Sequence, residues 1–404
     1  MSFKSVRVLL VGLATLFLGA AARAATFDVV AVHPEVATQP TWTGDRIVTL
    51  KPFNGKLYAG YGDYGANTGP IEIRAFDPSL GTFTDSYLSS FTEAIYIYRE
   101  LDGKLYAPNI DTRGGGAGYA VGTAGSPDTW QDVIPVDGIH MFDMNKLGND
   151  LFMGGASGDD GVVWRSTDGG QTWTESLRVT PTKGNDFVRI MGTGVLNGKL
   201  YADVEQHYFD ANGNGPFVTD GAKAGHAMVF DGTSWSTGPI LTKDYGFMSH
   251  PEEFAGSLVY LNWQSGLGTT DLFAFNGKQV KSAYTVKGPT GDSQNNFWDY
   301  TIDNGVLYGL QPDGDILETT DLKNWSLLAT APTDSCSIGI LDGTLYLGAA
   351  GGLLYRYSDP VAPASLSDGG MTFAAVPEPS TLVLGLVAIA GAMSLLARRS
   401  RAAI

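Results

Sequence analysis

An all-β fold, a seven-bladed β-propeller of four-stranded antiparallel blades, is the architecture that three observations in this sequence predict. A short hairpin phrase recurs seven times, with successive copies 38 to 58 residues apart. Glycine provides 53 of the 404 residues, which indicates many turns, and the charged fraction of 17% indicates few surface helices. Away from the two termini, no long stretch has the 3.6-residue periodicity of a helix, which argues against an α/β fold.

The hairpin phrases place Asn-Gly, Asp-Gly or a close variant between apolar residues. Both central residues of a type I′ turn need positive φ, so these dipeptides are a strong hairpin signal. Residues 27–358 provide about 47 residues per phrase, the size of a four-stranded propeller blade, whereas a pair of β-sandwiches would not produce this period. The shortest step predicts a trimmed sixth blade. The phrases are Asn54–Tyr58, Asp102–Tyr106, Gly148–Phe152, Asn197–Tyr201, Ala255–Val259, Asn304–Tyr308 and Asp342–Tyr346.

Ring closure is the next expectation. An open ring would leave two unpaired strand edges, so the first and last segments of residues 25–358 should share a blade or meet edge to edge. Positions eight residues before the second residue of each phrase are nearly all apolar, from Ile47 to Phe297. We expect these side chains to pack between neighbouring blades.

Residues 1–24 have the pattern of a secretory signal peptide. Lys4 and Arg7 precede an apolar run, Val8–Ala22, and the small-residue triplet ends at Ala24. This order predicts cleavage by signal peptidase before Ala25. An uncleaved membrane anchor is the alternative.

The C-terminal end has a different tripartite pattern. Residues 359–375, rich in Ala, Pro, Ser and Gly, form a predicted flexible linker. Residues 376–404 contain Pro377, Glu378 and Pro379, the uncharged run Thr381–Ala397 and a basic end, an order that resembles the PEP-CTERM sorting signal. The resemblance implies removal by an exosortase-type protease in a Gram-negative bacterium that makes extracellular polysaccharide. The protein would be held transiently in the inner membrane by the tail alone and then released to the envelope or secreted; a permanent tail anchor is the alternative.

Charge and cysteine content restrict the partners. Asp and Glu number 42 against 26 Lys and Arg, for a formal net charge of −16. Phosphate contacts need clustered bases, so nucleic acid is excluded as a partner, and cations or uncharged polymers are favoured. The single Cys336 cannot form an intramolecular disulfide and is interpreted as a small buried residue.

One turn has a sharper signature. Ser166, Asp168, Gly170 and Trp173 match the Ser-x-Asp-x-Gly-x-Thr-Trp pattern, which resembles the Asp-box of bacterial neuraminidase repeats, and Thr319–Trp325 is a degraded copy. The resemblance implies a structural hairpin turn. From its residues alone, Asp168 is predicted to cap turn amides and not to act as a catalytic acid.

Candidate site residues come from aligning the seven phrases, because equivalent inner-strand positions of a propeller form a ring around its channel. The alignment predicts polar residues at the channel mouth. The candidates are Arg46, His140, Arg189, His250 and the nearby aromatic Trp298 for binding, and the carboxylates Asp143, Asp299 and Asp334 for catalysis. A one-residue slip of register would reverse the side on which each residue lies.

Two further features suggest ligands. Asp210, Asn212 and Asn214 match the first half of a calcium loop, in which alternate oxygens reach one ion and Asp220 would complete the shell; a plain Gly/Asn insertion is the alternative. The aromatic residues Tyr61, Tyr64, Tyr208 and Trp298 are candidates for stacking on sugar rings.

The sequence therefore favours a non-catalytic binding or structural module associated with extracellular polysaccharide or biofilm matrix. The alternative is a glycan-active hydrolase or lyase with carboxylates at the channel mouth, and a protein-interaction platform is a third class. A narrow, filled channel would favour binding, whereas two carboxylates and a base converging in a deep cleft would favour catalysis.

Overall fold

The computed structural model of the protein describes residues 26–88, 91–112, 115–182, 186–208, 217–218, 226–242, 246–264, 270–284, 286–287, 293–294 and 296–358. The predicted signal peptide, linker and sorting tail lie outside these residues, as does the predicted calcium loop with Asp210, Asn212, Asn214 and Asp220. In the part that is described, no helix is long and apolar enough to cross a membrane.

Seven four-stranded antiparallel sheets form a propeller ring, which confirms the predicted fold class. Six blades follow the chain from the inner strand outward. Blade 1 contains β2 (Thr49–Phe53), β3 (Lys56–Gly60), β4 (Glu72–Asp77) and β5 (Thr82–Leu88), and blade 2 contains β6 (Arg99–Leu101), β7 (Lys104–Pro108), β8 (Ala117–Thr123) and β9 (Thr129–Val136). Blade 3 contains β10 (His140–Leu147), β11 (Asp150–Ser157), β12 (Asp160–Ser166) and β13 (Thr174–Val179).

The second half of the ring repeats this order. Blade 4 contains β14 (Phe187–Leu196), β15 (Lys199–Tyr208), β17 (His226–Phe230) and β18 (Trp235–Ile240), with the short β16 (Phe217–Val218) beside β15. Blade 5 contains β19 (Gly246–Phe254), β20 (Ser257–Gln264), β21 (Thr270–Phe275) and β22 (Val280–Ser282), and a small hairpin of β23 (Val286–Lys287) and β24 (Ser293–Gln294) follows it. Blade 6 contains β25 (Asp299–Asp303), β26 (Val306–Leu310), β27 (Asp315–Thr319) and β28 (Ser326–Thr330).

The two ends of the described chain close the ring in blade 7. Its strands are β29 (Ser335–Leu341), β30 (Thr344–Ala349), β31 (Leu353–Ser358) and, on the outside, β1 (Thr26–Val32). The β1–β31 pairing is antiparallel and runs from Thr26 opposite Ser358 to Val32 opposite Leu353. The expectation that the first and last segments share a blade is therefore confirmed, and this pairing protects two strand edges at once.

The turns explain why the phrases recur. Asn54 and Gly55 have φ of 48° and 71°, and Asn304 and Gly305 have 47° and 78°, so both central residues lie in the left-handed region that these residue types tolerate. Blade 6 keeps all four strands, each of five residues. Blade 6 spans few residues because its strands and connections are short, and not because a strand is missing.

The core lies between the blades. Six of the seven aligned apolar positions are fully buried, as expected: Ile47, Ile95, Met141, Ile190, Met248 and Phe297. Cys336 is also buried, with its sulfur 3.3 Å from the carbonyl oxygen of Ile47 in the next blade, and burial raises the pKa of its thiol to about 12. Two short 3₁₀ helices, Val36–Thr38 and Tyr64–Ala66, lie in connections.

Candidate binding site on the upper face

The inner strands all begin at one face of the ring, which we call the upper face. Because second strands run antiparallel to first strands, the loops joining second to third strands lie at this face too. The hairpin phrases lie at the opposite, lower face. Residues at the start of an inner strand and residues in these loops therefore surround the same mouth.

The centre of the ring is filled by contacts between distant blades. The Arg99 guanidinium donates to both carboxylate oxygens of Asp143 in blade 3, at 2.8 and 3.0 Å, and to the carbonyl oxygen of Pro251 in blade 5, at 3.0 Å. Lys51 of blade 1 lies 3.7 Å from the Glu252 carboxylate of blade 5. The cavity left between these strands measures about 30 Å³, room for about one water molecule.

Two of the three predicted catalytic carboxylates are buried in the wall between blades. Asp143 also accepts the backbone N–H of Thr193 in blade 4 at 2.9 Å, and Asp299 accepts that of Ile338 in blade 7 at 3.0 Å. Asp203, which the alignment did not select, accepts that of Met248 in blade 5 at 2.7 Å. Each carboxylate thus holds the inner strand of the next blade. Asp143 and Asp299 do not face the channel mouth as the alignment predicted.

Burial has a clear effect on two of these carboxyls. It raises the pKa of Asp299 to about 8 and that of Asp203 to about 7, against the opposing effect of the amides that donate to them. Both groups therefore hold their protons at pH values where an exposed carboxyl has lost them. The third carboxylate, Asp143, forms an ion pair with the buried guanidinium of Arg99.

His250 is likewise part of the structural centre. Its Nε2 lies 2.9 Å from the carbonyl oxygen of Tyr96, so Nε2 carries the proton and Nδ1 accepts from the Ser249 hydroxyl at 2.8 Å. Burial, with the charge of Arg99, lowers the pKa of His250 to about 4. This neutral, half-buried imidazole links blades 5 and 2.

The other predicted residues are dispersed. Arg46 lies 4.0 Å above the exposed Trp42 ring, and Asp334 is an exposed turn residue with φ of 67°. Trp298 is half-buried against the core between blades 6 and 7. Tyr61 is only 1% exposed, so the prediction that it stacks on a sugar is wrong, while the side chain of Tyr208 lies outside the described part.

The Asp168 side chain accepts hydrogen bonds within its own turn. One carboxylate oxygen accepts the N–H groups of Gln171 and Thr172 at 3.0 and 2.9 Å, and the other accepts the Thr172 hydroxyl at 2.6 Å. These bonds lower its pKa to about 2. Ser166 accepts the N–H of Gly170 at 2.8 Å, and the Trp173 indole donates to the Gly170 carbonyl at 3.2 Å.

An open groove lies on the upper face of blade 3. It measures about 480 Å³, within the range of ligand sites, and is lined by two connections, Ser157–Asp160 and Thr180–Thr182. Arg189 forms its border with blade 4, donating to the Gly158 carbonyl oxygen at 3.3 Å and to that of Val188 at 2.8 Å.

An aromatic stack continues from Arg189 into blade 4. The Arg189 guanidinium lies 4.4 Å from the centre of the Phe187 ring, which stacks on His207 with 4.4 Å between centroids and 11° between planes. His207 Nε2 is 3.0 Å from a carboxylate oxygen of Glu205. Register explains the stack, since β14 and β15 pair Phe187 with His207 and Arg189 with Glu205.

Acidic groups from other blades face this stack across the mouth. The pKa of Tyr64, in the loop between β3 and β4, is raised by burial and then by the charges of Glu205, Asp63 and Asp111. Tyr64 keeps 42% of its surface exposed and packs edge-on against Tyr96 at 6.0 Å. Asp111 lies 3.8 Å from the imidazole of His140, which donates from Nδ1 to the Ile110 carbonyl at 2.8 Å.

Of the sequence-predicted residues, the structure thus brings His140, Arg189 and Tyr64 to one mouth. Among the described residues, no group of three His, Cys, Asp or Glu side chains is arranged to hold a metal ion.

No protein-family model and no curated protein matches the chain. Among solved structures, it is similar to the computationally designed Ika8 protein at 13% identity and a TM-score of 0.47, covering 81% of this chain and 99% of that one. YCF48 from Cyanidioschyzon merolae is 10% identical over 82% of this chain and 98% of its own, with a TM-score of 0.47. YCF48 bound to D1 peptide is 13% identical over 78% and 94%, with a TM-score of 0.46. Similarity at this level does not extend to ligands or activity.

Sequence reasoning missed Glu205, His207 and Phe187. A signal was present: Asp203, Glu205 and His207 alternate along the second strand of one blade, so all three lie on one side of it. Glu205 and His207 lie in the second strand β15, whereas the aligned positions lie in or before first strands. Phe187 lies at the start of the first strand β14, farther from the hairpin than the aligned positions.

Proposed function

We propose that the protein is an exported, exosortase-processed envelope or matrix component that binds extracellular polysaccharide on its upper face without cleaving it. The observation that carries this proposal is the contrast between a closed channel and an open upper groove. The channel cavity of about 30 Å³ admits no sugar ring, while the groove of about 480 Å³ has the size of a ligand site.

The buried carboxylates support binding over catalysis. A glycoside hydrolase needs two carboxyl groups flanking the scissile bond, one of them free to transfer a proton. Asp143 and Asp299 are 1% and 4% exposed and are engaged by main-chain amides. Neither can reach a glycosidic oxygen without separating two blades.

The net charge of the chain restricts the class of polysaccharide that we propose as its ligand. A net charge of −16 repels polyanions, so an uncharged or cationic polymer is the ligand class we propose. Export through the signal peptide and the tail with Pro377, Glu378 and Pro379 would deliver the protein to such polymers. Calcium binding by the loop at Asp210 remains a prediction, and measuring polysaccharide binding with and without a chelator tests it.

The test is co-sedimentation of the purified protein with insoluble neutral and cationic polysaccharides, with and without chelator, followed by measurement of new reducing ends. We expect sedimentation without new reducing ends. Arg189→Ala should reduce binding, while the matched control Arg165→Ala, whose guanidinium pairs with Asp150 near the lower face, should not. New reducing ends that increase with protein concentration would instead establish a glycan-active enzyme.

A further inference from the structure

The mouth of the upper face has more negative than positive charge. Asp63 and Asp111 come from the loops of blades 1 and 2, and Glu205 comes from blade 4, with all three charges acting on the Tyr64 phenol. Arg189 is the neighbouring cation, close enough to Glu205 for the two charges to interact. Burial lowers the pKa of His140, which disfavours a second positive charge at the mouth.

Unsatisfied acceptors accompany this charge. Glu205 is 3% exposed, and its Oε1 has no hydrogen-bond partner among the residues that the structure describes. Within the same described residues, His207 Nδ1 also lacks a partner. Buried acceptors without donors are costly in a folded protein, so a site of this kind favours a ligand that supplies donors.

An exposed aromatic surface lies beside the acceptors. Tyr64 presents its partly exposed ring at the mouth, supported edge-on by Tyr96. An aromatic face beside carboxylates is the arrangement that recognises an ammonium group, through cation–π attraction and charge-assisted hydrogen bonds. A ring-shaped ligand can also stack on the same face.

We infer that the upper mouth, formed by Tyr64, Asp63, Asp111 and Glu205, binds an amino sugar through its protonated amine. This inference rests on the proposed function and narrows it from polysaccharides in general to polymers that carry free amino groups. The ammonium contributes up to three donors, which the partly exposed carboxylates of Asp63 and Asp111 can accept, and one positive charge, which the buried carboxylate of Glu205 attracts. The sugar ring supplies the surface that stacks on Tyr64.

The test compares three hexasaccharides by calorimetry with the full protein at about pH 6 and low salt: a glucosamine oligomer, its N-acetylated form and a neutral glucose oligomer. We expect the glucosamine oligomer to bind at least about tenfold more tightly than the other two, since a charge-assisted bond is lost with the amine. Added salt should reduce this preference.

Variants locate the interaction. Glu205→Gln should weaken glucosamine binding about tenfold, and Asp111→Asn, at a partly exposed residue, about threefold. Glu253→Gln is the matched control, because Glu253 is exposed at the lower end of β19, and it should leave affinity unchanged. Since Glu205 is buried, thermal unfolding of Glu205→Gln is recorded as well, and the Asp111→Asn result keeps the test valid if that variant fails to fold.

The outcomes separate the two claims. Equal binding of all three oligomers would overturn the amino-sugar inference and leave polysaccharide binding standing. Failure to bind any of them, in the same assay and in co-sedimentation, would overturn both. Binding of polylysine with loss in Asp111→Asn, but no binding of glucosamine oligomers, would assign the mouth to a basic protein segment and overturn the sugar assignment.

Discussion

Arg99 holds the centre of the ring, and its replacement is the sharpest test of how the blades are fastened. The Arg99 side chain is 9% exposed and the Asp143 side chain 2%, so the pair is buried. Removing one partner of a buried ion pair destabilises a protein by about 3–5 kcal/mol. Asp143 retains the N–H donors of Met144 and Thr193, so Arg99→Met should lie near the lower end, about 3 kcal/mol.

The assay is a double-mutant cycle in urea. Arg99→Met, Asp143→Asn and the double variant are unfolded at equilibrium, and coincident fluorescence and circular dichroism transitions establish that one free energy describes each. The double variant should cost less than the sum of the single ones by about 2 kcal/mol, because each single change leaves the other partner buried and unpaired.

A surface pair provides the control. Lys146 and Asp102 form an ion pair whose side chains are 25% and 59% exposed, and its coupling should be below about 1 kcal/mol. If Arg99→Met costs no more than Lys146→Met, or if the Arg99 and Asp143 changes are additive, the account of a ring fastened through its centre is wrong.

Three further predictions concern pH, turns and packing. The pKa of Asp203 is raised to about 7 in the folded state, so the folded protein holds this proton while the unfolded chain loses it from about pH 4 upward. The free energy of unfolding should therefore fall as pH rises from about 4 to about 7. Asp203→Asn should flatten that decline in urea titrations at several pH values. Asp168 has a depressed pKa, so its contribution is present at neutral pH and lost on acidification toward about pH 2; Asp168→Ala should lower the midpoint of thermal unfolding at pH 7 but not near pH 2, and an equal shift at both would contradict the turn-capping role. A Cβ at Gly192 would lie 2.1 Å from the Met248 carbonyl oxygen of the next blade, so Gly192→Ala should lower the free energy of unfolding by about 1–3 kcal/mol. The loop variant Gly65→Ala, whose new Cβ would have its nearest neighbour 3.4 Å away, should lower it far less. Equal stabilities of the two variants would show that the blades can separate at no cost.

The fold was predictable because its signals are local. Asn54-Gly55 and its six equivalents each specify a hairpin through their own backbone preferences, and repetition then specifies a ring. Residues such as Ile47 and Met141 are apolar because blades pack there, so burial also followed from the sequence.

The site was less predictable because register is not local. The inner strands β10, β14, β19 and β29 contain irregularities, as between Met141 and Asp143, that shift which side the later residues occupy. A constant count back from the hairpin therefore selected Asp143, which is buried between two blades, together with His140 and Arg189, which lie at the upper ends of their blades. Glu205 is related to the mouth by the effect of its charge on Tyr64 in another blade, which no pattern within one blade reveals.

The measurement that tests the central claim most directly is hydrogen exchange by mass spectrometry, with and without bound polysaccharide. The account predicts slower exchange in the groove residues 157–160 and 180–182, in residues 61–71 and 109–112, and at the upper ends of β14 and β15, with no change in the lower-face hairpins. Protection confined to the lower-face hairpins, such as Asp102-Gly103 and Asp342-Gly343, would contradict a ligand site at the upper mouth.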